Sequence, residues 1–290
     1  MKIDLHCHST HSDGKETLSE IFQYASEAGL DVLAITDHDT VAGWPEAREL
    51  ATKHGITFVP GIEITTKHHD VSTHLLAYLP NPDYSPLIER LAEVRDSRST
   101  RIERFVENLS PDFAGISMDA VRATMTDDGK SPGRPHIADA LVNLGFFKDR
   151  GEAFAGPLRK SGKYYVASEG IHTVEAIKLV RAAEGVPIMA HPLSRSTGNE
   201  PFVPHPKLRE NFQELIEAGI GGFEVDHREV KEIQREWLVA LAEEFDLIMT
   251  GSSDYHGMTG KPNRLGERNT SLEMLKRIEA EGSGSAIQWA

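Results

Sequence analysis

The 290-residue sequence has one cysteine, Cys7, so no intrachain disulfide can form and a reducing cytoplasm is the expected setting. It has no long apolar run: nothing approaches the roughly 18 apolar residues of a membrane span. Its first residues show no basic segment leading into an apolar core, so no signal peptide is expected. Positive charge is scarce as well. Lys and Arg number 31 against 45 Asp and Glu, giving a net charge of −14. Long nucleic acids are held by Lys and Arg on their phosphates, and an acidic surface excludes them as expected partners. A short phosphorylated ligand remains compatible if its pocket is itself positive. No low-complexity tract and no internal repeat is evident.

What is present is strand–helix alternation. KIDLHCH reads as a strand, TLSEIFQYASEAG as an amphipathic helix closed by Gly29, DVLAITDH as a strand and PEARELATKHG as a helix closed by Gly55. ITFVPGIEITT and VSTHLLAYL follow as strands around a polar turn, KHHD. VPIMAHP, GGFEVDH and LIMTGSSD complete seven strands, separated by the helical runs LRENFQELIEAG and VKEIQREWLVALAEEFD. Such alternation predicts a mostly parallel sheet covered by helices. The rhythm stops in the middle of the chain, where helical runs dominate, as in SPLIERLAEVRDSRSTRIERFVENL. The expected organisation is therefore an α/β domain from residues 1–82 and 169–290, with an inserted helical subdomain, a lid, at 83–168.

Polar residues gather where the strands end: His6 and His8 on the first, Asp37, His38 and Asp39 on the second, Glu63 on the third, His74 on the fourth, His191 on a later one, Asp254 and His256 on the last. Sites in parallel α/β architectures are built at the C-terminal strand edge. Residues i and i+2 share a strand face, so His6 points with His8 and Asp254 with His256, while Cys7 points away. One histidine at a strand end is ordinarily a hydrogen-bonded structural residue. Six of seven strands ending this way would be a costly set of buried polar groups without partners. Imidazoles and carboxylates are the ligands of Zn, Mn and Fe, and a carboxylate such as Glu63 can bridge two ions.

The motifs DLHCHSTHSDG, ITDHD, GIEI, AHP and GSSDYHG together resemble the PHP (polymerase and histidinol phosphatase) family of the amidohydrolase superfamily. SDG and the GRPHIADAL segment resemble its nucleotide-phosphatase-like members. The resemblance implies a distorted (β/α)7 TIM-like barrel holding two or three divalent ions (Mn, Fe or Zn). One ion would take His6, His8, Glu63 and Asp254. A second would share Glu63 and take His74 and His191. A third would take Asp13, His38 and His256, with Asp13 standing where many members have histidine.

The activity implied is hydrolysis of small nucleotide phosphate esters, such as 3′,5′-nucleoside bisphosphates, by metal-activated hydroxide, with Glu63, His191, Asp254 and His256 in the catalytic machinery. Alternatives are a cyclic-phosphate phosphodiesterase, a 5′–3′ exonuclease on short RNA, a histidinol-phosphate phosphatase, and a non-catalytic metal-binding scaffold. No protein nucleophile is evident: there is no GxSxG, and Cys7 lacks the exposed electropositive setting of a reactive thiol. Arg134 and His136, at the start of a helix with Pro at its first turn, form a candidate anion site. Lys163 and Arg195 are further candidates for substrate phosphate, and Tyr164 or Tyr165 for stacking on a base. His11, His54, His68, His69, His172 and His205 are read as turn or helix-end residues, His227 as a weaker candidate for the pocket. Asp37 and Asp39 are read as supporting the ligands or capping a helix.

Overall fold

The computed structural model describes residues 1–69, 71–125, 132–159, 162–166, 170–194, 202–259 and 261–290, without the side chains of residues 98 and 99. Residues 1–91 and 170–290 form one compact unit and residues 92–169 another.

The larger unit is built on the sheet order β1 (Ile3–Asp4), β2 (Val32–Ile35), β3 (Thr57–His68), β4 (Val71–Tyr78), β6 (Val186–Met189), β7 (Gly222–Asp226), β8 (Ile248–Gly251), with a two-residue strand, β5 (Ile171–His172), paired to β3. The seven strands read from sequence are the seven of this path; β5 is too short to leave a pattern. Pairing is parallel except around β4, which is antiparallel to both β3 and β6. The KHHD turn read from sequence is shorter than expected: Lys67 and His68 belong to β3, where they pair with Ser72 and Val71, and Asp70 lies outside the described residues.

The two ends of the path meet. The His8 N–H donates to the Tyr255 carbonyl at 2.9 Å, and the Tyr255 N–H to that of His6 at 3.3 Å. The buried Asp4 carboxylate accepts from the backbone N–H groups of Ser253 (3.0 Å) and Gly266 (2.8 Å). These bonds tie the chain after β8 to β1 and nearly close a seven-stranded barrel. Its interior is filled by Ile3, Val32, Val59, Leu76, Ile188 and Ile248, among others. Tyr78 is fully buried with them, its hydroxyl donating to the Leu5 carbonyl at 2.9 Å.

Helices cover the strands as the apolar spacing dictates. α1 (Leu18–Glu27) buries Leu18, Ile21, Phe22 and Ala25 on one stripe, and Thr17 with Glu20 forms a capping box. α2 (Trp44–His54) ends at Gly55 in the left-handed conformation, φ 63°, a backbone most residues resist. α7 (Thr173–Ala182), α8 (Pro206–Glu217), α9 (Glu232–Glu244) and α10 (Leu272–Glu281) complete the unit.

α3 (Ser85–Leu109) runs through residue 91 into the smaller unit, where α4 (Met118–Arg122), α5 (Arg134–Asn143) and α6 (Arg150–Ala155) follow. This unit has its own apolar cluster, with Ile102, Phe105, Leu109, Ile137 and Leu141 all buried. Among the described residues, no helix is long and apolar enough to cross a membrane.

Candidate metal centre

The strand edge brings His6, His8, Glu63 and Asp254 together, all buried, with ligand atoms within 4.8 Å of one another. A second group is His8, Asp13, His38 and His256, and a third His38, Glu63 and His74. Glu63 stands at the centre, 1% exposed. Its Oε1 lies 2.8 Å from His74 Nδ1 and 3.1 Å from His191 Nε2. Its Oε2 lies 3.0 Å from His8 Nε2, and 3.3 Å from both His6 Nε2 and His38 Nδ1. One carboxylate thus faces two sets of imidazoles from its two oxygens, the geometry of a bridging ligand.

The grouping differs in detail from the sequence partition. His8 falls in two groups, but a neutral imidazole has one free lone pair and so serves one ion. His38 lies between Glu63 and Asp13, its Nε2 3.8 Å from Asp13 Oδ2. His191 touches Glu63 yet stands outside the three tightest groups.

The surrounding chain fixes which atoms are free. His6 Nδ1 bonds to Glu224 Oε1 at 3.0 Å, leaving Nε2 for the centre. Glu224 Oε2 also accepts the His191 N–H at 2.8 Å. His256 Nδ1 donates to the Asp254 carbonyl at 2.9 Å, leaving Nε2 3.3 Å from Asp13 Oδ1. Asp37 accepts from the Ser9 N–H, the Ser9 hydroxyl and the Ser12 hydroxyl, and so holds the loop that carries Asp13. Gly14 is required there: a Cβ would sit 2.2 Å from the His8 carbonyl oxygen. Asp39 accepts from the Thr65 N–H and hydroxyl. Neither aspartate caps α2, whose N-cap is Gly43.

The backbone bends sharply at three of these positions. Asp39, His191 and Asp254 have φ of 55°, 28° and 52°. Non-glycine residues in this region carry strain of order 1–3 kcal/mol each.

Charge is dense and internally compensated. Burial opposes ionisation of Glu63, but His38, His74 and His6 outweigh it and hold the carboxyl well below the usual range. Burial likewise opposes ionisation of Asp254, and His6, His227, His8 and Lys261 overcome it. In the absence of metal, His6 and His8 resist their own burial because carboxylates surround them; His8 is pushed up to about 9. Burial lowers His38 and His191.

The donor set fits divalent cations. Asp254 Oδ1 and His38 Nδ1 are buried with no hydrogen-bond partner among the described residues. Such orphaned acceptors are costly unless something else satisfies them. Cys7 is fully buried, its thiol pushed well up by burial and by Asp4 and Asp37, a poor nucleophile.

Three members of the centre escaped the sequence reading or were undervalued by it. Glu224 is fully buried, and its only signal was a charge inside the apolar run GGFEV. His227 is 2% exposed with Nε2 3.5 Å from Asp254 Oδ2. Lys261 Nζ lies 2.6 Å from the same oxygen, beyond the reach of any spacing rule. His11 Nε2 lies 3.7 Å from Glu46 Oε2.

The candidate phosphate ligands belong to the smaller unit or fall outside the described residues. Arg134 donates to the Leu158 carbonyl and lies over Phe154, 5.0 Å from its centroid. His136 Nδ1 accepts the Gly133 N–H at 2.9 Å, capping its own helix. Lys163 pairs with Asp112 at 2.5 Å, and the Tyr164 hydroxyl donates to the same carboxylate. Tyr165 packs edge-on to Phe105. Arg195 lies outside the described residues.

Comparison with known proteins gives a coherent picture. Residues 4–113 match the PHP domain model. A 5′–3′ exoribonuclease of Haemophilus influenzae is 32% identical over 88% of this chain and 90% of its own. A phosphoribosyl 1,2-cyclic phosphate 1,2-diphosphodiesterase of Eggerthella lenta is 30% identical over 91% and 98%. A 3′,5′-nucleoside bisphosphate phosphatase of Chromobacterium violaceum is 30% identical over 66% of each. Among solved structures, a Bifidobacterium adolescentis protein assigned by inference as a metal-dependent phosphoesterase superposes with TM-score 0.85 and 39% identity, covering 97% of this chain and 96% of that one.

Proposed function

From the premise that this chain belongs to the PHP family of metal-dependent phosphoesterases, we propose that it removes phosphate from a small ribonucleotide, a 3′,5′-nucleoside bisphosphate, in the cytoplasm. The observation that carries the reading is Glu63, buried and facing two sets of imidazoles from its two oxygens. That arrangement would suit two or three divalent ions, which His6, His8, Asp13, His38, Glu63, His74, His191, Asp254 and His256 would hold. Nitrogen and carboxylate donors without thiolate suit Mn, Fe or Zn.

When bound, such ions supply Lewis acidity to a phosphoryl oxygen and lower the pKa of water to near neutrality. The protein's own groups fix the geometry. Glu224 orients His6 through Nδ1, and the Asp254 carbonyl orients His256 in the same way. Lys261 offsets part of the Asp254 charge. The barrel interior excludes water behind the centre.

The substrate choice rests on charge. The chain is strongly acidic, so a cationic well at the strand edge selects small anions over polymers. The relatives named above act on RNA, on a phosphoribosyl cyclic phosphate and on a nucleoside bisphosphate. All three substrates carry a phosphoester on ribose.

The test is phosphate release by Mn²⁺-reconstituted protein from 3′-phosphoadenosine 5′-phosphate, a ribose cyclic phosphate and a short 5′-phosphorylated RNA, with Asp254→Asn as the control. Release from the bisphosphate in preference to the others, abolished in the variant, is expected. Preference for RNA would replace the proposal with an exonuclease, and preference for the cyclic ester with a phosphodiesterase.

A further inference from the structure

A second cluster of metal-ligating side chains lies outside the centre just described. His68 ends β3, His69 follows it in the turn, and Glu214 sits on α8. Their ligand atoms all lie within 4.8 Å of one another. His69 Nε2 is 2.9 Å from Glu214 Oε2, and His68 Nε2 is 3.7 Å from the same oxygen. Ligands around a tetrahedral zinc at 2.0–2.1 Å stand roughly 3.4 Å apart, so these separations bracket the value.

The backbone explains how neighbouring residues come to share one target. Successive strand residues point to opposite faces. His69 breaks that alternation with φ 43°, and its ring comes to 4.2 Å, centroid to centroid, from that of His68. The chain thus adopts a left-handed residue where two imidazoles are brought onto one carboxylate.

An independent observation points to a ligand. His68 is 6% exposed, yet both of its ring nitrogens are buried without a hydrogen-bond partner among the described residues. At 3.7 Å the Glu214 oxygen is too distant from His68 Nε2 to bond it. A buried imidazole with neither nitrogen used is expensive, and an ordinary surface pair between His69 and Glu214 would leave it unexplained. The carboxylate argues for a cation over an anion.

We propose that His68, His69 and Glu214 form a mononuclear zinc site that staples the β3–β4 hairpin to α8. Three protein ligands leave the fourth position open. His68 and His69 line a cavity of about 490 Å³ that is also lined by His74 and His191. The site therefore stands on the wall of a space that reaches the main centre, without sharing a ligand with it.

The experiment counts zinc per chain by mass spectrometry after equilibration with Zn²⁺ and removal of excess. It compares the full-length protein with its His69→Ala and Glu214→Gln variants. Both positions are partly exposed, so the variants are expected to fold. Each should hold one zinc fewer and keep the phosphoester hydrolysis of the parent. Asp254→Asn, which disables the main centre, should retain the outer zinc, and His69→Ala in that background should then lose it. In parallel, thermal melts should show a Zn²⁺-dependent rise in Tm for the Asp254→Asn protein that the double variant lacks. An unchanged zinc count in both single variants, or equal melting shifts with and without His69, would overturn the site.

Discussion

Metal binding at the main centre should compete with protons, and the competition can be sized from His8. Burial favours its neutral form, but Asp254 and Glu63 outweigh burial and push it up to about 9 in the metal-free protein. The pKa is raised, so His8 is protonated below about 9 and must lose that proton before its nitrogen can ligate. At pH 7 the gap is about two units, or about 3 kcal/mol. Apparent affinity should therefore fall about tenfold per pH unit below 9 for this proton alone, about a hundredfold by pH 7. His6, also raised, steepens the slope. Calorimetric titration of stripped protein with Mn²⁺, at pH 7 in two buffers of different ionisation enthalpy, counts the protons released; at least one per chain is expected.

The same raised pKa has a stability arm. A group with a raised folded-state pKa contributes stability that is full below its unfolded value, 6.5, and lost as pH rises through the folded value. The His8 contribution to the metal-free fold should fade towards pH 9, whereas in the loaded protein His8 is already neutral. Equal affinities at pH 7 and pH 9, with heats independent of buffer, would refute the argument.

Two further substitutions probe the scaffold. Glu224→Gln keeps the shape but offers one acceptor where His6 and the His191 N–H need two; metal affinity should fall roughly ten- to a hundredfold with circular dichroism unchanged, and an affinity like that of the parent would show the carboxylate to be dispensable. Gly222→Ala would place a Cβ 2.0 Å from the Ile248 carbonyl oxygen across the β7–β8 pair; a loss of about 1–3 kcal/mol or more in urea unfolding is expected, and a neutral result would mean the strands part without cost.

The barrel was legible in the sequence because its strands are short, largely apolar runs and its helices carry regular stripes closed by glycines such as Gly55. The polar strand ends were legible because HxH and DxH place side chains on one face by period alone. What escaped had no local signature. Glu224 sits in the interior of β7, and Lys261 meets Asp254 from seven positions further along the chain. The His68–His69 pair read as an ordinary polar turn, because Glu214 joins it only through the packing of α8. Arg134 read as an anion ligand from its place at a helix start, while no spacing rule could show its neighbours in space, the Leu158 carbonyl and the Phe154 ring.

The left-handed backbone at Asp39, His191 and Asp254 sets stability against chemistry at the same three positions. Glycine carries such φ values at least cost, and asparagine and aspartate carry them more readily than most side chains. Glycine at 254 would also remove Oδ1, which is buried without a hydrogen-bond partner among the described residues. Yet each residue is also tied into the fold, Asp39 through Thr65, His191 through Glu224 and Asp254 through Lys261, so the bends and the bonds that hold them are lost or kept together.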